Sequence, residues 1–109
     1  MTTVAFTLEG SRIVSLTSEG HSGYAEEGED IVCASISSVI GLTVCAVNTV
    51  LGLAASVKID PEHARISLHL PGGLSEEDEH TCQTLMTSLM VYLSELHDEY
   101  PDYITVMEV

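Results

Sequence analysis

From Ile31 to Val57 the chain carries no charged residue, a run of 27 positions in a sequence of 109. A helix of about 20 apolar residues is long enough to cross a bilayer. The run must therefore either span a membrane or form a helix of a folded domain that other elements cover. Ser35, Ser37, Ser38, Thr43, Asn48, Thr49 and Ser56 interrupt it with polar groups that gain little from lipid. No Lys/Arg pair or Trp/Tyr belt flanks it, and Glu26, Glu27, Glu29 and Asp30 precede it. We read the run as the central helix of a soluble domain, covered on most sides. The opening residues, Met1-Thr2-Thr3-Val4-Ala5-Phe6, have neither the basic nor the apolar region of a signal peptide.

The rest of the chain must supply that cover. Val4, Phe6 and Leu8 alternate within Thr3–Leu8, the period of a half-buried strand. Glu9-Gly10 is a turn signal, and Arg12–Thr17 reads as the returning strand of a hairpin. A glycine-rich acidic loop, Ser18–Glu29, follows. Asp30 is placed to cap the helix, which runs to about Leu51–Leu53 with Gly52 as its stop. Ala34, Ser37, Gly41 and Ala46 are small enough to let other elements pack close to it. Ala54–Asp60 predicts a third strand, Asp60-Pro61-Glu62 a turn, and Ala64–Leu70 a fourth strand with Ile66, Leu68 and Leu70 inward. Ser75 with Asp78 resembles a capping box. The helix after it carries Cys82, Leu85, Met86, Leu89, Leu93 and Leu96 as an apolar stripe, and Pro101 ends it. Tyr103–Val109 alternates as a last strand. The order strand-strand-helix-strand-strand-helix-strand predicts one α+β domain over 1–109, a largely antiparallel sheet packed with two helices.

Charge narrows the partners. Three basic residues face seventeen acidic ones, a net charge of −14. Nucleic acids and anionic membranes are excluded as partners, since both require Lys and Arg to neutralise phosphate. The three cysteines, Cys33, Cys45 and Cys82, are odd in number and form no C-x-x-C pair. They suit free thiols in a reducing compartment, the cytoplasm, better than a disulfide framework.

Chemistry concentrates where the loop meets the helix. If Asp30 caps the helix, Cys33 lies in its first turn, where the helix dipole favours a thiolate. First-turn amides are also available to donate to an oxyanion. His21, twelve positions earlier on the loop, is placed to take the thiol proton and return it to a leaving amine. The acidic residues Glu26, Glu27, Glu29 and Asp30 oppose a thiolate, which puts weight on the charge of His21.

Gly20-His21 followed by Asp30-Ile31-Val32-Cys33-Ala34, with Ser37 four residues after the cysteine, resembles the ribosomal-processing cysteine protease family, the Prp or YsxB-like proteins. The resemblance extends over essentially the whole chain. It implies that His21 is the catalytic histidine and Cys33 the nucleophile. Asp30 and Ser37 support the site or bind substrate, and Gly20–Gly28 is a mobile loop over it. It further implies a homodimer that removes the N-terminal extension of a bacterial large-subunit ribosomal protein (the twenty-seventh of that subunit). Such a substrate is basic, which gives the acidity of this chain a use. Ser35-Ile36 are bulkier than the small residues common at those positions in the family.

The remaining candidates read as structural. Cys45 in mid-helix and Cys82 in the apolar stripe are core residues by position. His63, His69, His80 and His97 form no metal-binding spacing, and neither a metal nor a cofactor is implied. A redox pair of Cys33 and Cys45 is about 18 Å apart along one helix, too far for a disulfide. The alternative to an enzyme is a non-catalytic acidic module that binds a basic ribosomal or assembly partner.

Overall fold

A five-stranded sheet is built around the predicted hairpin. The computed structural model describes residues 1–26 and 29–109. Strand β1 (Thr2–Glu9) turns through Gly10 into β2 (Arg12–Glu19). Their antiparallel register slips between Thr7 and Leu8, where Thr7 faces Ser15 and Leu8 faces Ile13. The extra residue, Val14, lets two neighbours, Ile13 and Val14, both be buried, which strict alternation forbids. β2 runs two residues beyond its predicted end, because Ser18 and Glu19 pair with Ile66 and Arg65.

Helix α1 (Ile31–Val44) continues as a π-helical turn over Cys45–Val50. Gly52, at φ +71°, follows the helix end. The Asn48 side chain then donates to the Ala55 carbonyl at 3.2 Å and accepts from the Ala55 amide at 2.8 Å, tying the helix end to β3 (Ser56–Asp60). A 3₁₀ turn, Pro61–His63, leads to β4 (Arg65–His69), and α2 (Glu76–Glu99) leads to β5 (Ile104–Glu108). The strand order is β3-β4-β2-β1-β5, with β5 parallel to β1 and every other pair antiparallel.

One aliphatic core joins sheet and helices. Val4, Phe6, Leu16, Leu68 and Ile104 meet Val32, Ile40 and Val47 of the first helix and Cys82, Met86 and Leu93 of α2. Each large side chain taken fully from water here contributes about 1.5–3 kcal/mol. Polar contacts at the start of α2 fix its place. Arg12 Nε bonds both Glu79 carboxylate oxygens at 2.8 and 2.9 Å, and Arg12 Nη2 donates to the Pro71 carbonyl. Gln83 exchanges two hydrogen bonds with the Ile13 backbone.

Three expectations for the first helix are corrected. It is covered on one side, not most: Ile31, Leu42 and Val50 are 51%, 69% and 76% exposed. The 20-residue helix Ile31–Val50 is long and apolar enough to cross a membrane, with 28% of its apolar stretch buried. Ala34, Ser37 and Gly41 are exposed, and Ala46 is half-buried. Most of these small residues therefore face outward, and among the described residues no element packs close on Gly41. Cys45 is exposed, not in the core. It shares the open stripe of Ala34, Ser38, Gly41 and Thr49, at three- and four-residue spacing.

The Met86 side chain is fully enclosed between α2 and the sheet. Met86→Ala is expected to destabilise the protein by about 2–5 kcal/mol, since a cavity is added to the lost transfer energy. Urea unfolding checks this through a lower midpoint at unchanged slope.

Candidate active site

Gly20 turns the chain out of β2 and delivers the next residues to the helix start. Its φ is +90°, its N–H donates to the Ala64 carbonyl at 3.1 Å, and its carbonyl accepts from Thr2 Oγ1 at 2.9 Å. A Cβ there would lie 2.8 Å from the Met1 carbonyl oxygen, so no side chain fits. His21 follows with its side chain exposed, and Ser22 turns inward, 2% exposed.

Asp30 caps α1 as predicted. Its Oδ1 accepts from the Val32 amide at 3.0 Å and the Cys33 amide at 2.9 Å. Its Oδ2 accepts from Ser22 Oγ at 2.5 Å. Burial pushes the Asp30 carboxyl up, but the Ser22 hydroxyl, the Cys33 and Ala25 amides and the Cys33 thiol outweigh it and hold the pKa at about 2, against 3.8. The Cys33 thiol is half-buried, and its Sγ accepts from the Ser22 amide at 3.2 Å.

The expected oxyanion donors need correction. The Val32 and Cys33 amides are taken by the Asp30 carboxylate, and the Ala34 amide donates to the Asp30 carbonyl at 3.0 Å. Capping and oxyanion binding compete for the same orphan groups, and at this helix the cap holds them.

Two cavities meet at the cysteine. The larger, about 790 Å³, is lined by His21, Gly23, Glu26, Asp30, Cys33 and Ser37. The other, about 500 Å³, shares His21, Cys33 and Ser37 and extends over Ile36, Ile59 and Ile66. All four residues singled out in the sequence are thus brought together: His21, Cys33 and Ser37 border both spaces, and Asp30 lines the larger. Tyr24 anchors the loop by edge-on contacts with Tyr100 and Tyr103, ring centroids 5.5 and 5.3 Å away. Of the expected loop Gly20–Gly28, Glu27 and Gly28 lie outside the described residues.

Ser22 escaped the sequence reading. Its one legible signal is being the only serine or threonine between Glu19 and Ser35. Elsewhere, burial with Glu79 and Asp78 nearby pushes the Cys82 thiol up, Arg12 opposing, which keeps it protonated in the core. The 3₁₀ turn gathers Asp60, Glu62 and His63, which the sequence spacing did not announce as a cluster. Asp60 is occupied in that turn, accepting from the His63 amide and bonding its Nδ1 at 2.7 Å. His97 Nδ1 bonds the Ile104 carbonyl at 2.6 Å, linking α2 to β5.

Cys33 in the first turn of a helix and His21 on a glycine-bounded loop line the same two cavities, an arrangement that suits a cysteine protease. The chain belongs to the cysteine protease Prp family, whose model matches residues 1–105. It is 29% identical over 94 residues, 86% of this chain and 84% of the relative, to the ribosomal processing cysteine protease Prp of Bacillus subtilis (strain 168). The essential ribosomal processing protease Prp of S. aureus, solved with a covalently linked product peptide, superposes with a TM-score of 0.87 at 23% identity, covering 100% of both chains. The same protease with a substrate peptide gives 0.82 at 21% identity, again over 100% of both. A Streptococcus mutans structure gives 0.85 at 22% identity, over 100% of this chain and 94% of that one.

The lowered carboxyl makes stability depend on acid. Unfolded, Asp30 takes up its proton near pH 3.8; folded, it holds out to about 2. Acid therefore favours the unfolded chain, and the stability supplied by this carboxylate is present above pH 4 and lost as pH falls toward 2. The stability gap between wild type and Asp30→Asn, from urea midpoints at pH 5, 4, 3 and 2.5, is expected to narrow with acidification.

Proposed function

We propose that this protein is an endopeptidase that removes the N-terminal extension of a bacterial large-subunit ribosomal protein, the twenty-seventh of that subunit, using Cys33 and His21. The observation that carries the reading is that both side chains border both cavities, so that a peptide lying across the two would pass the thiol. His21 takes the Cys33 proton, and the thiolate attacks the scissile carbonyl. His21 then protonates the departing amine, and water activated by the same ring hydrolyses the acyl-enzyme. Ser37, one turn along α1 from Cys33, lines the cleft on the same helix face. Ile36, Ile59 and Ile66 suit apolar residues of the extension, and Glu26 with the net charge of −14 suits a basic ribosomal protein.

The relatives support this reading. One is named a ribosomal processing protease, and another was solved with substrate and product peptides. Incubation with the extended ribosomal protein is expected to yield the shortened form by mass spectrometry. Cys33→Ala is expected to lower the rate by a factor on the order of 10³ or more, and His21→Ala by about 10²–10⁴. Binding without cleavage by the wild type would sink the peptidase reading and favour the acidic binding module.

The protein acts in this reading as a cytoplasmic homodimer. Three free thiols suit a reducing compartment. The second copy is assigned to the open face of α1. A chain of net charge −14 repels its own copies, and the exposed stripe from Ala34 to Thr49 carries no charge of its own. Apposed about a two-fold axis, two such stripes bring small residues and Leu42 together without ion pairing. Sedimentation is expected to give twice the 11.7 kDa chain mass, and Leu42→Glu to return it to one. A wild type that stays at one chain mass at micromolar concentration, or that floats with phosphatidylcholine vesicles, would overturn this assignment.

A further inference from the structure

We propose that Ser22 is a positioning residue for the reaction, holding its own backbone amide on Cys33 Sγ through a hydroxyl latched to Asp30. The inference rests on the reading of Cys33 as nucleophile. Ser22 is 2% exposed and makes three hydrogen bonds. Its hydroxyl donates to Asp30 Oδ2 at 2.5 Å, its Oγ accepts from the Tyr24 amide at 3.3 Å, and its own amide donates to Cys33 Sγ at 3.2 Å.

The arrangement closes a ring. Asp30 Oδ1 fixes the amide of Cys33, and Asp30 Oδ2 fixes the hydroxyl of Ser22. The thiol and the amide that meets it are therefore both referenced to one carboxylate. A hydrogen bond donated to sulfur favours its charged form, an effect that falls steeply once the N–H points away. Ser22 is bonded directly to His21, whose ring makes no hydrogen bond among the described residues. The direction of the His21 side chain then depends on how firmly the next residue is held. Gly20 on one side and the latched Ser22 on the other leave the histidine on a short, fixed span.

Removing the hydroxyl frees the Ser22 backbone and leaves the side chains of His21 and Cys33 unaltered. Ser22→Ala is expected to lower kcat by about 10–100-fold with KM within about twofold, the mark of misplaced rather than absent groups. Alkylation of Cys33 by iodoacetamide at pH 7, read by peptide mass spectrometry, is expected to slow by about three- to tenfold. Asp30→Ala removes the acceptor of the same latch, so the double variant is expected to be no slower than the slower single one.

Wild-type kcat and alkylation rate in Ser22→Ala would overturn the inference, as would single effects that multiply in the double variant. If Ser22→Ala does not fold, Ser22→Thr, which keeps the hydroxyl, decides. Its kcat within about fivefold of wild type supports the latch, and a loss on the order of 10² overturns it. Should the wild type cleave nothing, the peptidase reading fails, and the alkylation rates alone judge the role of Ser22.

Discussion

The carboxylate of Asp30 joins the first turn of α1 to the loop that precedes it, and the site depends on that junction. Its two oxygens take the Val32 and Cys33 amides on one side and the Ser22 hydroxyl on the other. A cap of this kind contributes about 0.5–2 kcal/mol to a helix. Here it also ties the helix that carries the cysteine to the loop that carries the histidine, twelve residues earlier in the chain. The same bonds keep the carboxyl ionised despite burial. A negative charge therefore sits beside the thiol.

The uncharged helix meets two different surroundings along one length. One face, with Val32, Ile36, Ile40 and Val47, packs into the aliphatic core and anchors the cap against the sheet. The opposite face, with Gly41, Leu42, Cys45 and Thr49, is open. A helix buried all round and one buried on a single side can share the same hydropathy, because composition alone does not record direction.

That limit explains which parts were legible in the residues. Alternation in Thr2–Glu9 and Arg65–His69, the apolar stripe of α2, and the caps Asp30 and Ser75 are local signals, and each appears where the sequence puts it. His21, Cys33, Asp30 and Ser37 were legible as a constellation because their flanking residues form a family pattern, and all four line one cavity. The rest required the third dimension. The exposure of Cys45 follows from which side of the helix the sheet covers. The occupation of the first-turn amides follows from the cap itself, so one reading, a capped helix, undercut another, free oxyanion donors. Ser22 matters through a backbone amide, which no residue type announces.

The parallel pairing of β5 with β1 ties the base of the histidine loop to a strand distant in sequence. Thr2 donates to the Tyr103 carbonyl and Leu8 to the Val109 carbonyl, so the first strand is held by a strand far from it in sequence. Thr2 in turn grips Gly20 at the base of the histidine loop. During synthesis the cap, the helix and the hairpin can form early, from contacts close in sequence, whereas the β1 edge waits for the C-terminal strand. Until that strand leaves the exit tunnel, β1 lacks one neighbour and Tyr24 lacks its partner Tyr103. The brace on the histidine loop is therefore complete only once β5 has been made and paired.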